Sequence, residues 1–161
     1  MITPEQLAKA FGRNAAVIGL QTAGLTHQEA LLQTPYNINC LNWTLGHLLV
    51  YRGRVLTMAG GQPPFANGEL DRYLRESEPV TEDGPGVWQL DKLVGAIAAS
   101  QESIDTLVGN LTEKDVAVET EIDGRMVGLA KRLFFDYFHD TYHTGQTEIL
   151  RQVTGTDDKI I

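Results

Sequence analysis

The sequence predicts an all-α fold: a four-helix bundle with a long crossover between helices 2 and 3 and a small hairpin before helix 4. Three observations carry that prediction. Apolar residues recur every three or four positions in four long stretches, the spacing that lines one side of a helix. A threonine with glutamine or glutamate three residues on opens the first two helical segments, the pattern of a capping box. Between the second and third long stretches, residues 60–86 collect glycine, proline and acidic side chains, and this segment is too long for a turn between antiparallel neighbours.

Thr3, Pro4 and Gln6 mark the first start, with Thr3 as N-cap, Pro4 at the first helical position and Gln6 closing the box. Leu7, Phe11, Ala15 and Ile18 follow at helical spacing, and Gly24 stops the helix. A second box, Thr26 to Glu29, opens a short helix that ends before Pro35. Asn37 or Asn39 is expected to cap the next long helix, which runs to Gly60-Gly61. Residues 60–86 then form the crossover, with one helical turn around 70–75; a segment of this length lets two helices run parallel or covers a site. The third long helix takes residues 87–109. Val116, Val118, Thr120 and Ile122 alternate, and Asp123-Gly124 is a favourable turn into Arg125-Met126-Val127, so a hairpin precedes the last helix over 128–153. There is no internal repeat, and residues 1–161 read as one domain.

Composition narrows the function classes. Apolar residues make up 42% of the 161, enough for a core without disulfides. No run reaches the roughly 18 apolar residues that a membrane span needs, and the first residues lack a basic segment followed by an apolar one, so neither a membrane partner nor a signal peptide is expected. The lone Cys40 points to a reducing compartment, the cytoplasm. A net charge of -8 with scattered basic residues argues against nucleic acid as a partner.

The four histidines carry the functional signal. His139 and His143 stand four apart on the last helix, so both rings project from one side, a turn apart. On a helical wheel Thr141, Thr144, Glu148 and Arg151 form the face expected in solvent, while Phe135, Leu150 and Val153 flank the histidine pair on the core side. His47 shares its side of the second long helix with Cys40, Trp43, Tyr51 and Met58, an apolar set. Gly46 and Gly53 run beside it, each costing the helix about 1 kcal/mol relative to alanine; close approach of another helix is the expected reason. Buried ring nitrogens need partners. A carbonyl or carboxylate is one kind of partner and a metal ion another; three core-facing histidines match the donor number of catalytic zinc sites, which keep a fourth position open. His27 is expected at the surface.

These residues also carry a resemblance. Asn42-Trp43-Thr44-Leu45-Gly46-His47-Leu48 and His139-Asp140-Thr141-Tyr142-His143-Thr144-Gly145-Gln146 resemble the second-helix and fourth-helix motifs of the DinB/YfiT-like superfamily. The order of helices, the long crossover and the late hairpin match as well. The resemblance implies an up-down-down-up four-helix bundle, often a homodimer, with a divalent metal ion on His47, His139 and His143.

Other polar residues lie near these positions. Asp140 invites comparison with the glutamate of zinc proteases, but a solvated or hydrogen-bonded aspartate is the expected reading. Asp136 and Gln146 lie a turn to either side of the pair, where either orients a ligand histidine, contacts substrate or makes a polar contact across the bundle. Tyr51 and Arg54 are one and two turns from His47, within reach of an anionic substrate, and Arg54 equally well extends to solvent. Trp43 reads as packing or pocket wall. Cys40 is about 10 Å along the axis from His47, too far to share an ion.

Two function classes follow. In the first the chain is a metal-dependent enzyme; relatives in the superfamily transfer low-molecular-weight thiols or use one as a cosubstrate, and hydrolysis by an activated water is the alternative. In the second it binds metal or a small ligand without chemistry, with Asp136 as the fourth ligand of a closed site. Imidazole suits zinc first and nickel second. The small-molecule substrate is not readable from the residues.

Overall fold

The structure is a computed structural model describing residues 2–122 and 124–156. It is mostly helical, with six helices and one two-stranded sheet among the described residues. Helix α1 (Pro4–Thr22) opens with the expected box: Thr3 Oγ1 accepts from the Gln6 N–H at 3.1 Å, and Gln6 Oε1 accepts from the Thr3 N–H at 3.0 Å. Gly24, just past its end, takes a φ of 77°, the left-handed conformation that glycine adopts without strain. Helix α2 (His27–Ala30) carries the second box, between Thr26 and Glu29. Helix α3 (Leu41–Met58) starts at an N-cap that neither asparagine supplies. Cys40 takes the position without a side-chain cap, because its thiol donates instead to the Val80 carbonyl at 3.2 Å, against the crossover.

A 3-10 turn, Asp71–Tyr73, is the helical turn of the crossover. Helix α4 (Leu90–Leu107) follows, then α5 (Glu113–Val116), opened by a Thr112/Asp115 capping box, so that Val116 ends a helical turn and does not begin the hairpin. Strands β1 (Glu119–Ile122) and β2 (Arg125–Gly128) pair antiparallel, with Ile122 opposite Arg125. Of the expected turn, Asp123 lies outside the described residues. Helix α6 (Leu129–Gln152) leads out of β2.

Helices α1 and α3 each pack against both α4 and α6. Two apolar clusters fill the interior. One gathers Ile18, Leu49, Ile97 and Leu150 with the crossover residues Tyr73 and Val80; the other gathers Phe11, Val55, Ile104 and Leu133. Each of the four long helices places a buried polar residue between the two clusters: Asn14, Arg52, Gln101 and Asp140. They form a connected layer. Arg52 donates from Nε and Nη2 to the two Asp140 oxygens at 2.8 and 3.0 Å, and from Nη1 to Gln101 Oε1 at 3.2 Å. Asn14 Nδ2 donates to Asp140 Oδ2 at 2.9 Å. Asp140 is therefore neither solvated nor available as a base.

This layer also corrects the face assigned to α6. Thr144 and Arg151 are buried, whereas Phe135 is 54% exposed, together with Phe134, Phe138, Tyr142 and Ile149. The buried polar groups have partners: Thr144 Oγ1 donates to the Asp140 carbonyl at 2.7 Å, and Arg151 Nη1 donates to the carbonyls of Gln21 and Ala23, both at 2.9 Å. Satisfied hydrogen bonds, not hydropathy, decide which side of this helix is inside. No helix of the described residues is long and apolar enough to cross a membrane.

Candidate metal centre

Helix α3 is buried almost all round over its first half because α4, α6 and the crossover cover it from different sides. His47 projects from this half, at 4% exposure, towards the side of α6 that carries His139 and His143. One ring nitrogen from each of the three histidines lies within 4.8 Å of the others. The ring centroids are 5.1 Å apart from His47 to either partner and 4.5 Å apart between His139 and His143. Three side chains from two distant stretches of sequence thus converge on one point.

Two of the rings are held in a defined tautomer. The Nδ1–H of His47 donates to the Tyr73 carbonyl at 2.7 Å, and that of His143 to Gln146 Oε1 at 2.6 Å. Each bond leaves the Nε2 lone pair free, as metal-ligating histidines require. His139 has a buried Nδ1 with no hydrogen-bond partner among the described residues, and its ring stacks on Tyr51 at 3.6 Å and 17°. Such a nitrogen is costly unless something takes it. The donor set therefore fits a divalent ion: one nitrogen from each of three rings within reach of the others, two of those rings oriented by a hydrogen bond and the third with a ring nitrogen left unpartnered.

The electrostatics agree. Burial pushes His47 down to about 4, against the hydrogen bond to Tyr73 and with repulsion from His143 and Arg54. Burial, then repulsion from His143 and His47, pushes His139 down to about 3; burial lowers His143 as well. All three rings are neutral near pH 7, the form that binds metal.

The crossover holds the site together. A Cβ on Gly46 would collide with the Tyr73 ring, and one on Gly53 with Phe65. The glycine stripe beside His47 thus receives side chains of the crossover, not another helix. Tyr73 is pinned there by its hydroxyl, which donates to Asn42 Oδ1 at 3.0 Å and accepts from the Trp88 N–H at 2.7 Å. That placement delivers the Tyr73 carbonyl to His47. Trp43 stacks on His47 at 4.5 Å and 18°, and its indole N–H donates to Ser77 of the crossover at 3.0 Å.

Tyr51, Arg54 and Asp136 form the next level. The Arg54 guanidinium sits 4.5 Å over the Tyr51 ring and 3.8 Å from Asp136 Oδ1. Asp136 is buried, which pushes its pKa up to about 6, and its oxygens are not among the clustered donors. Trp43, Tyr51 and Gln146 touch a histidine of the triad directly, while Asp136 is linked through Arg54. Arg132 reaches the other Asp136 oxygen at 3.9 Å. Neither Tyr73 nor Arg132 carries a motif of its own in the sequence; Gly46, a helix-weakening residue beside a core histidine, is the signal for the first. His27 is not a surface residue: its side chain is 12% exposed and lies 3.5 Å from Asp83, remote in sequence from the triad.

No protein-family model and no curated protein matches the chain. A solved structure, that of a conserved protein from Enterococcus faecalis, superposes with a TM-score of 0.75 at 15% identity, over 97% of this chain and 99% of that one. At that identity the likeness is one of fold.

Proposed function

We propose that this chain is a DinB/YfiT-like metalloprotein, an up-down-down-up four-helix bundle that holds one divalent ion on His47, His139 and His143 and transfers a low-molecular-weight thiol. The observation that carries the metal reading is the convergence of three ring nitrogens within 4.8 Å, two of them with the second nitrogen already donating to an oxygen. Imidazole donors suit zinc first and nickel second. Bound by neutral nitrogens, such an ion would keep its full positive charge and lower the pKa of a thiol or water beside it.

The chain's own residues favour a thiol over hydrolysis. Hydrolysis calls for a general base near the triad. Asp140, next to His139 in sequence, is tied to Arg52 and Asn14, and Asp136 lies beyond Arg54. A thiol starts from a far lower pKa than water and so depends less on a base to ionise beside the ion. Trp43 and Tyr51 stack against His47 and His139, and no fourth His, Cys, Asp or Glu joins the three histidines among the described residues, which favours an open coordination position.

The test is thiol consumption by zinc- and nickel-loaded protein against a panel of electrophiles, with His139→Asn as control. Turnover that requires all three histidines is the expected result. No turnover with any thiol, or equal turnover by the control, overturns the transferase reading.

The exposed aromatic stripe of α6 supports a homodimer, with a second copy covering Phe138, Tyr142 and Ile149. The buried, unpaired Cys40 is in keeping with the cytoplasm.

A further inference from the structure

Two Arg–Asp pairs join α3 to α6, and they differ in a telling way. Arg52 and Asp140 close to 2.8 and 3.0 Å in the buried layer. Arg54 and Asp136, two residues on along α3 and one turn back along α6, stop at 3.8 Å, and Arg132 reaches the other Asp136 oxygen only at 3.9 Å. Both Asp136 oxygens and Arg132 Nε are buried without a hydrogen-bond partner among the described residues. Two guanidiniums thus share one carboxylate, and neither is saturated.

Both arginines line a cavity of about 420 Å³ whose other walls are largely apolar, including Val50, Met58, Pro63 and Phe65. Phe65 closes it from the crossover, seated against Gly53. The volume is in the range of small-molecule sites, which combine apolar walls with a few convergent polar groups. With Asp136 ionised the polar end carries one net positive charge, and with Asp136 protonated it carries two. Either state calls for an anion, and a guanidinium pair matches a carboxylate in shape as well as charge. The Tyr51 ring stands between this cavity and the histidines, with Arg54 over one side of it and His139 stacked against it.

We infer that this cavity binds a small monocarboxylate with an apolar body, its carboxylate held by Arg54 and Arg132 and its body against Phe65 and Met58.

Calorimetric titration with 4-phenylbutanoate and its neutral amide tests this on metal-free and zinc-loaded protein. The acid is expected to bind both forms and the amide at least tenfold more weakly. Arg54→Gln and Arg132→Gln lower acid affinity at least tenfold, and Arg54→Lys restores part of it, which separates lost charge from lost folding. Equal binding of acid and amide, unchanged affinity in both glutamine variants, or no binding of the acid overturns the inference. Zinc content measured on the same samples keeps the readings apart: arginine-dependent binding by a protein that takes no zinc would sink the metal reading and leave this one standing.

Discussion

Arg52 and Asp140 form a two-pronged ion pair, fully buried, that ties the helix of His47 to the helix of His139 and His143. It sits in a polar layer between two apolar clusters, with Asn14 and Gln101 completing its hydrogen bonds. Desolvating two charges is costly, and the pair fixes how α3 and α6 face one another more than it adds net stability.

Removing one partner leaves the other charge buried and unpaired. Asp140→Ala is expected to lower unfolding stability by about 3–5 kcal/mol. The double variant Arg52→Met, Asp140→Ala should lose less than Asp140→Ala or Arg52→Met alone. Urea denaturation of the four proteins measures both; losses that simply add would show that the pair does not act as a unit.

Gly46→Ala sets two effects against each other. Helix propensity gains about 1 kcal/mol, but the new Cβ meets the Tyr73 ring, and overpacking of that kind costs about 1–3 kcal/mol. Net destabilisation is expected, with metal affinity reduced about 10–100-fold as the Tyr73 carbonyl leaves His47. A stabilised variant with unchanged affinity would contradict the role given to the crossover.

Acid should weaken the metal-free protein. An unfolded histidine protonates near 6.5, whereas His47 and His139 in the fold wait until about 4 and about 3. Below pH 6.5 the unfolded chain therefore binds more protons, and stability falls as pH drops towards 4. His47 alone accounts for about 3 kcal/mol of that fall. Asp136, pushed up to about 6 from 3.8, works in the opposite direction between those values and offsets part of one histidine. Urea midpoints of chelator-treated protein should be level at pH 7–8 and decline from 6.5 to 4, with a shallower decline in His47→Gln. A flat profile would mean that the rings are not buried as neutral groups.

Gln146 and Asp136 separate an oriented, open site from a closed one. Gln146→Leu removes the acceptor on His143 Nδ1 and should lower metal affinity about 10–100-fold. Asp136→Asn should leave it nearly unchanged, because its oxygens lie outside the donor cluster. Competition titration with a zinc chelator measures both, and a large loss in the asparagine variant would make Asp136 a ligand.

The long helices and the histidine cluster were legible because periodicity and an i, i+4 pair are local signals. The sides of α6 were not. Thr144 and Arg151 look solvent-facing on a wheel, yet both are buried, and Arg151 finds its acceptors at the end of α1, partners with no local signature. Gly46 and Gly53 announced a close approach, but Tyr73 and Phe65 arrive from a crossover whose path no pattern in the sequence traces. The Cys40 N-cap has no local signature for the same reason, since Val80 of that crossover takes its thiol.

The most direct test is elemental analysis of protein purified without chelator or histidine tag, alongside His47→Ala, His139→Ala and His143→Ala. One equivalent of zinc or nickel per chain in the wild type, lost in each variant, is the expected result. Metal-free wild type that also refuses added zinc, or variants that keep their ion, would contradict the account.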